Sequence, residues 1–304
     1  GLFSERSGVV NIALEGIMLV GALTSCLFLS LMEKAGLHGM HPQLLAFLAI
    51  LIAAVTGMLF SMLLAFAAIK LKADQTIGGT ALNMLAPAVA IVVTWAIQGQ
   101  GQTTILIPGW VRITQESLGM ATSQDFFSRL IFKSLYLTTP IAILILVASV
   151  IILYKTKTGL RLRACGEHPQ AADSVGINVY HMRYLGVAIS GFLGGIGGLA
   201  YSLAAGSGYQ STVAGYGFLA LAVMIFGNWK PLNILGASLF FALFKIVGSY
   251  AGSIPFLPKF TNVKSSEYIY LMLPYIVTMI LLILTSKRSR APKAEGIPYD
   301  KGGR

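Results

Sequence analysis

Seven stretches of this chain are apolar for long enough to cross a bilayer: residues 9–31, 43–69, 77–98, 134–154, 184–205, 232–250 and 268–286. A spanning helix needs ~20 mostly apolar residues, and each run is near or above that length. An eighth run, 217–227, is short and follows Gly206, Gly208, Gly215 and Gly217. A short, glycine-interrupted apolar segment is how a broken or re-entrant helix reads in transporters; the alternative is an ordinary helix whose first turn is misplaced. Only 11% of residues are charged and mean hydropathy is +0.76. A soluble domain carries ~25% charged residues, so lipid must cover the apolar surface here. The expected fold is all-α: a polytopic transmembrane helical bundle of about eight segments, with broken or re-entrant helices, over 1–286. Residues 287–304, polar and holding Pro292, Gly296 and Pro298, are expected to be a disordered tail.

The net charge of +11 is explained by topology rather than by nucleic acid. With the 155–183 loop in the cytoplasm, that side holds Arg6, Lys70, Lys72, Lys155, Lys157, Arg161, Arg163, Arg183, Lys230 and the basic residues of the tail. The other side holds only Lys34, Arg112, Arg129, Lys133, Lys259 and Lys264. Basic residues mark the cytoplasmic face, so the C-terminus is expected inside. In the external loop 99–133, Gln124 to Tyr136 begins a pattern that suits a short interfacial helix, with Phe126, Phe127, Leu130 and Ile131 on one face.

Several chemistries are excluded. No Walker A sequence is present, so ATP is not bound by that route. Gly195-Ile-Gly197-Gly198-Leu-Ala200 fits a dinucleotide fingerprint, but it lies in an apolar run with no preceding strand. Gly191 with Gly195, and Gly194 with Gly198, read instead as small-residue pairs that let helix backbones approach in lipid. Cys26 and Cys165 are too far apart in sequence for a metal motif or a disulfide framework. His38, His41, His168 and His181 all fall in loops, and the spans hold no His/Glu metal spacing. The chain opens on Gly1 and shows no signal peptide. Its natural start is expected to lie further upstream.

Residues 155–183 are the most informative stretch. His168 precedes proline and is biased away from helix. Pro169 suits a first helical position, and Gly176 supplies a left-handed stop. A two-turn helix from Pro169 to Val175 follows. So short a helix is marginal alone and needs a docking surface; the other reading is a plain polar connector.

Thr158-Gly159-Leu160-Arg161, Arg163-Ala164-Cys165-Gly166-Glu167, Ala171-Ala172 and Gly176-Ile177-Asn178 resemble the cytoplasmic coupling segment of ABC permeases of the branched-chain amino acid, ribose and nucleoside type. Ser4-Glu5-Arg6-Ser7-Gly8 through Gly16, Lys72-Ala73-Asp74-Gln75, Gly79 to Asn83, and Gly217 to Ala222 with Phe226 to Trp229 extend the likeness. They are similar to the smaller permease subunit of purine-nucleoside and simple-sugar importers. The resemblance implies that Pro169 to Val175 is a coupling helix seated in a cleft of an ATPase subunit, with Gly159, Gly166 and Gly176 setting its bends. Arg161 and Arg163 would pair with acidic groups of the ATPase or with lipid headgroups. It also implies ATP on that partner and no cofactor in this chain, a second and larger permease subunit, an extracytoplasmic solute-binding protein, and a place in the bacterial inner membrane. The family normally has a further leading hydrophobic segment.

Polar groups inside spans are costly, so each has a reason to be there. Asn11 and Glu15 lie one helical turn apart, either lining a pathway or bonding between helices. Gln75, Thr80 and Asn83 form a second cluster near Asp74; Asn83 offers a donor and an acceptor to a base or ribose, while Asp74 or Thr80 reads equally as a helix cap. Lys245 either snorkels to the interface or lines the pathway. Trp95, Trp110 and Trp229 read as interfacial anchors. A stand-alone secondary transporter is the rival class, and it would rest on Glu15 and Lys245 alone.

Overall fold

A computed structural model describes residues 1–39, 41–114, 135–206, 208–250 and 291–301, with isolated positions 272, 276, 279 and 280. The described helices are α1 (Leu2–Arg6), α2 (Leu14–Lys34), α3 (Pro42–Ala65), α4 (Gln75–Gln98), α5 (Thr138–Lys155), α6 (Lys157–Glu167), α7 (Pro169–Ser174), α8 (Val179–Ala205), α9 (Tyr216–Phe226) and α10 (Pro231–Ser249). A two-residue antiparallel ladder joins β1 (Arg112–Ile113) to β2 (Leu135–Tyr136). Among the described residues five helices are long and apolar enough to cross a membrane: α2, α3 with its continuation to Lys70, α4, α5 and α8. The interfacial helix expected from Gln124 and the span expected at 268–286 fall almost wholly outside the described residues.

Packing divides the chain into two compact units, Gly1–Phe218 with Pro292–Arg304, and Leu219–Ala291, where one domain over 1–286 was expected. In the second unit Val223, Ala237 and Phe241 form a small core with Leu219, Phe226 and Phe240 around it. Trp229 is buried.

The core of the first unit is a contact of small residues. α8 packs along α3 and α2, and a methyl at Gly195 would strike the Ala53 carbonyl oxygen, while one at Gly198 would strike that of Met18. Gly191 faces Ser61 and Gly57 in the same way, and Gly194 meets Ile17. Lipid offers no hydrophobic drive for helices to associate, so close backbone approach and its dispersion contacts must supply it. Thr24 and Thr56 Oγ1 atoms, 2.8 Å apart, add a hydrogen bond between α2 and α3.

The first predicted span does not begin at residue 9. Residues 7–13 are unwound between α1 and α2, with Gly8 at φ +94°. The chain also departs from expectation at its C-terminal end. Residues 291–301 do not trail as a disordered tail but dock on the first unit. The Ala294 amide donates to the Gly166 carbonyl at 2.8 Å and Gly296 to Gly8 at 3.3 Å. Ala294 and Tyr299 are buried. Polar composition alone had suggested disorder, but these few apolar groups find seats, and backbone bonds hold them.

Candidate functional site

The unwound stretch needs partners, because a backbone polar group buried without one costs about 1–3 kcal/mol. α1 supplies those of Ser7, Gly8 and Val9, and α4 those of Val10 and Ile12. Gln75 Oε1 accepts from the Val10 amide at 2.7 Å. Asn83 Oδ1 accepts from the Gly16 amide at 2.8 Å, and Asn83 Nδ2 donates to the Ile12 carbonyl at 2.8 Å. Ser4 Oγ donates to the Val9 carbonyl at 2.7 Å. Asn11, fully buried, donates to Ser190 Oγ of α8 at 2.8 Å. Asp74 caps α4 by accepting from Thr76 and Ile77 amides at 2.7 and 3.0 Å. Those bonds hold its carboxyl below the ordinary range.

Glu15 sits in the first turn of α2. Its Oε1 accepts from the Gly215 amide at 2.8 Å and its Oε2 from the Gly217 amide at 2.7 Å. A carboxylate thus meets the start of α9, where free amides and the helix dipole favour negative charge. A side chain at Gly217 would collide with Glu15. Tyr216 packs on Tyr201 with ring centroids 4.6 Å apart beside this contact, and both rings are partly exposed.

The depth of that contact follows from α8. Its 27 residues rise ~40 Å, and Gly194 near its middle faces Ile17 and Leu14. Glu15 is therefore level with the middle of α8. Beyond the end of α8, Tyr209 exchanges backbone bonds with Ile105, and Ser211 Oγ donates to the Thr103 carbonyl at 3.0 Å. The chain then returns to Glu15, with Ser211, Ala214 and Gly215 all at positive φ. α9 starts level with the middle of α8, and its 11 residues rise ~16 Å, about half of a ~30 Å hydrocarbon core.

Of the polar residues singled out in the sequence, four meet here: Asn11, Glu15, Gln75 and Asn83. Both Asn83 polar atoms and both Glu15 oxygens are engaged by backbone. Thr80 is exposed and donates to the Thr76 carbonyl at 2.7 Å, within its own helix. Lys245 stands on α10 in the second unit.

The 155–183 segment folds as two helices, not one helix in a loop. Thr156 breaks α5 from α6 with an extended backbone and caps α6, its Oγ1 accepting from the Gly159 amide at 3.1 Å. Gly159, Leu162, Cys165 and Gly166 are buried along α6. That spacing is helical and was the missed signal in the sequence. Gly159 and Gly166 do not set bends. Gly159 lets α6 lie against Ile152 and Leu153 of α5, and Gly166 lies against Arg6. Burial pushes the Cys165 thiol up to about 11.

α7 runs from Pro169 to Ser174, one residue shorter than expected, after an extended His168 and before Gly176 at φ +82°. Pro169 and Ala172 are buried, with Ala172 packed by Cys165, Val179, Met182 and Tyr299 and flanked by Ala164 and Ile177. Gln170, Ala171, Ser174 and Val175 form an exposed face, Val175 being 73% exposed. Arg161 is exposed, and Leu160 beside it is 62% exposed. Arg163 lies over the Tyr154 ring at 5.0 Å, and Glu167 faces Arg6 at 3.9 Å.

The profile of the branched-chain amino acid transport system / permease component family matches residues 1–285. The chain is 42% identical to the guanosine ABC transporter permease protein NupQ of Bacillus subtilis, over 100% of this chain and 92% of the relative. It is 39% identical to the nucleoside ABC transporter permease protein NupC of Lactococcus lactis, over 99% of this chain and 91% of the relative. The nucleoside permease protein NupB of the same Lactococcus is 27% identical over 98% of this chain and 79% of its own length. No solved structure matches the chain. Five apolar helices among the described residues and a match across nearly the whole sequence place this multi-pass membrane protein in the permease component family of the branched-chain amino acid transport systems.

Proposed function

We propose that this chain is one transmembrane subunit of an ATP-driven importer for nucleoside-like solutes. The observation that carries the substrate class is the 39–42% identity, across the whole chain, to permeases named for guanosine and nucleosides. The chain does no covalent chemistry in this reading. A separate ATPase subunit binds and hydrolyses ATP, and an extracytoplasmic binding protein delivers the solute. The second permease subunit is a larger relative. In support, NupC and NupB come from one organism, and the chain spans a smaller share of NupB than of NupC. The protein lies in the inner membrane with its C-terminus in the cytoplasm, as the basic residues argue.

The exposed face of α7 is the docking surface for the ATPase. Closure of the ATPase dimer displaces α7, and the spans switch between outward and inward access as a two-state element. Glu15 and Asn83 hold the broken helices that frame the pathway; the partly exposed Tyr201 and Tyr216 rings at the start of α9 offer a planar base a stacking surface.

The test is uptake of labelled guanosine by cells carrying the complete transporter, with unlabelled nucleosides, sugars and branched-chain amino acids as competitors. Nucleosides alone should compete; competition by sugars or leucine would overturn the substrate class. Val175→Asp should abolish co-purification of the ATPase and uptake while the protein remains inserted. Ala172 is a poor probe of docking, because its side chain packs inward.

A further inference from the structure

Residues 292–301 touch every cytoplasmic element of the first unit that the coupling reading invokes. At one end, Ala294 bonds to Gly166 of α6 and Gly296 bonds to Gly8 of the unwound stretch. At the other, Tyr299 stacks edge-on against Tyr180 of α8 at 5.2 Å and closes over Ala172 of α7. Its hydroxyl bonds with Asp173. Lys301 lies 3.9 Å from Asp173, and Asp300 lies 2.9 Å from Lys72.

Arg183 is the seat between the two ends. Its side chain is 1% exposed, and Nη1 donates to the Ile297 carbonyl at 2.9 Å. Nε and Nη2 have no hydrogen-bond partner among the described residues. A side chain at position 8 would come within 3.0 Å of Arg183 Nη2 and 3.2 Å of the Ala294 carbonyl. The unwound stretch, α8 and this terminal segment therefore converge on one guanidinium. A buried cation with donors to spare gains from water when its cover lifts, so the contact is firm enough to transmit displacement and able to yield.

We propose that residues 292–301 are a strap that links the coupling helix to the unwound stretch, with Arg183 and Tyr299 as its anchors. When α7 moves, the strap carries that displacement to Gly8–Ala13, in parallel with the longer route through α6 and α8. This rests on the reading of α7 as the ATPase-coupling element. Arg183 and Tyr299 are positioning residues and touch no solute.

The experiment uses the complete transporter in proteoliposomes and measures labelled guanosine taken up per ATP hydrolysed. Tyr299→Ala, and a chain ended before Pro292, should retain membrane insertion and ATPase association. Their uptake per ATP should fall by about threefold or more. Tyr299→Phe keeps the ring against Tyr180 and should stay close to the parent ratio. An unchanged ratio in Tyr299→Ala and in the shortened chain overturns the strap. Loss of insertion or of ATPase association in both also overturns it, since the segment would then serve only to hold the fold. Val175→Asp separates the two readings: if it leaves ATPase association and uptake intact, the coupling role of α7 has failed. If it abolishes them while Tyr299→Ala changes nothing, only the strap has.

Discussion

Glu15 Oε2 accepts the Gly217 amide at 2.7 Å across 202 positions of sequence, and this single bond, with its neighbour at Gly215, fixes where α9 begins. Hydrogen bonds to a charged group contribute about 1.5–3 kcal/mol. Glu15→Gln turns a donor toward amides that are themselves donors. It should lower the unfolding temperature of the purified protein and reduce uptake, and Gly217→Ala should do the same by collision. Full uptake by both variants would show that α9 does not need this anchor.

Asn83 distinguishes a framework role from a solute-contacting one. Asn83→Leu leaves the Ile12 carbonyl and the Gly16 amide without their bonds, at about 1–3 kcal/mol each. Asn83→Asp keeps an acceptor for Gly16 but sets an oxygen against the Ile12 carbonyl. Both variants should lose thermal stability in detergent. Unchanged stability with weakened solute affinity would instead make Asn83 a binding residue.

Neighbouring glycines of α8 should respond in opposite ways to the same methyl. Gly195→Ala drives a carbon into the Ala53 carbonyl and should cost about 3 kcal/mol or more. Gly197→Ala meets only the Met18 Cε at 3.9 Å and should change stability by no more than ~1 kcal/mol, in the direction of gain from helix propensity. Unfolding midpoints of the two proteins decide it.

Much of this was legible in the sequence, and the exceptions have physical causes. Apolar length alone marked α2, α3, α4, α5 and α8, and Pro169 and Gly176 bounded α7. Residues 9–13, unwound in the structure, fall inside the apolar run 9–31, because Val9, Val10 and Ile12 are apolar whether wound or not. What unwinds them is a set of partners on α4 and α8 far along the chain. α6 lies in a polar, basic stretch that reads as loop, and the role of Gly159 and Gly166, close approach to α5 and to Arg6, is a tertiary fact. Glu15 reads in the sequence either as lining a pathway or as bonding between helices; its partners, the Gly215 and Gly217 amides, lie some 200 positions away and leave no local signal.

The strap should respond to pH. Burial, and then Glu5 beside it, raise the Glu295 carboxyl well above its ordinary value of 4.5, with Arg6 opposing. A carboxyl raised on docking keeps its proton when seated and loses it when released. Docking is therefore unpenalised below the ordinary value and weakens as pH climbs through the interval up to the raised one. Proteolytic nicking of residues 292–301 should accelerate from pH 6 to pH 8. Glu295→Gln should flatten that dependence, and an equal slope in the variant would assign it to another group.

With carbonyl oxygens of α2 and α3 filling the places where glycine side chains would stand on α8, those three helices have no slack between them. Sliding any one by even a fraction of a turn would bring a larger residue onto a neighbour's backbone. They must travel as a single stiff body during a transport cycle.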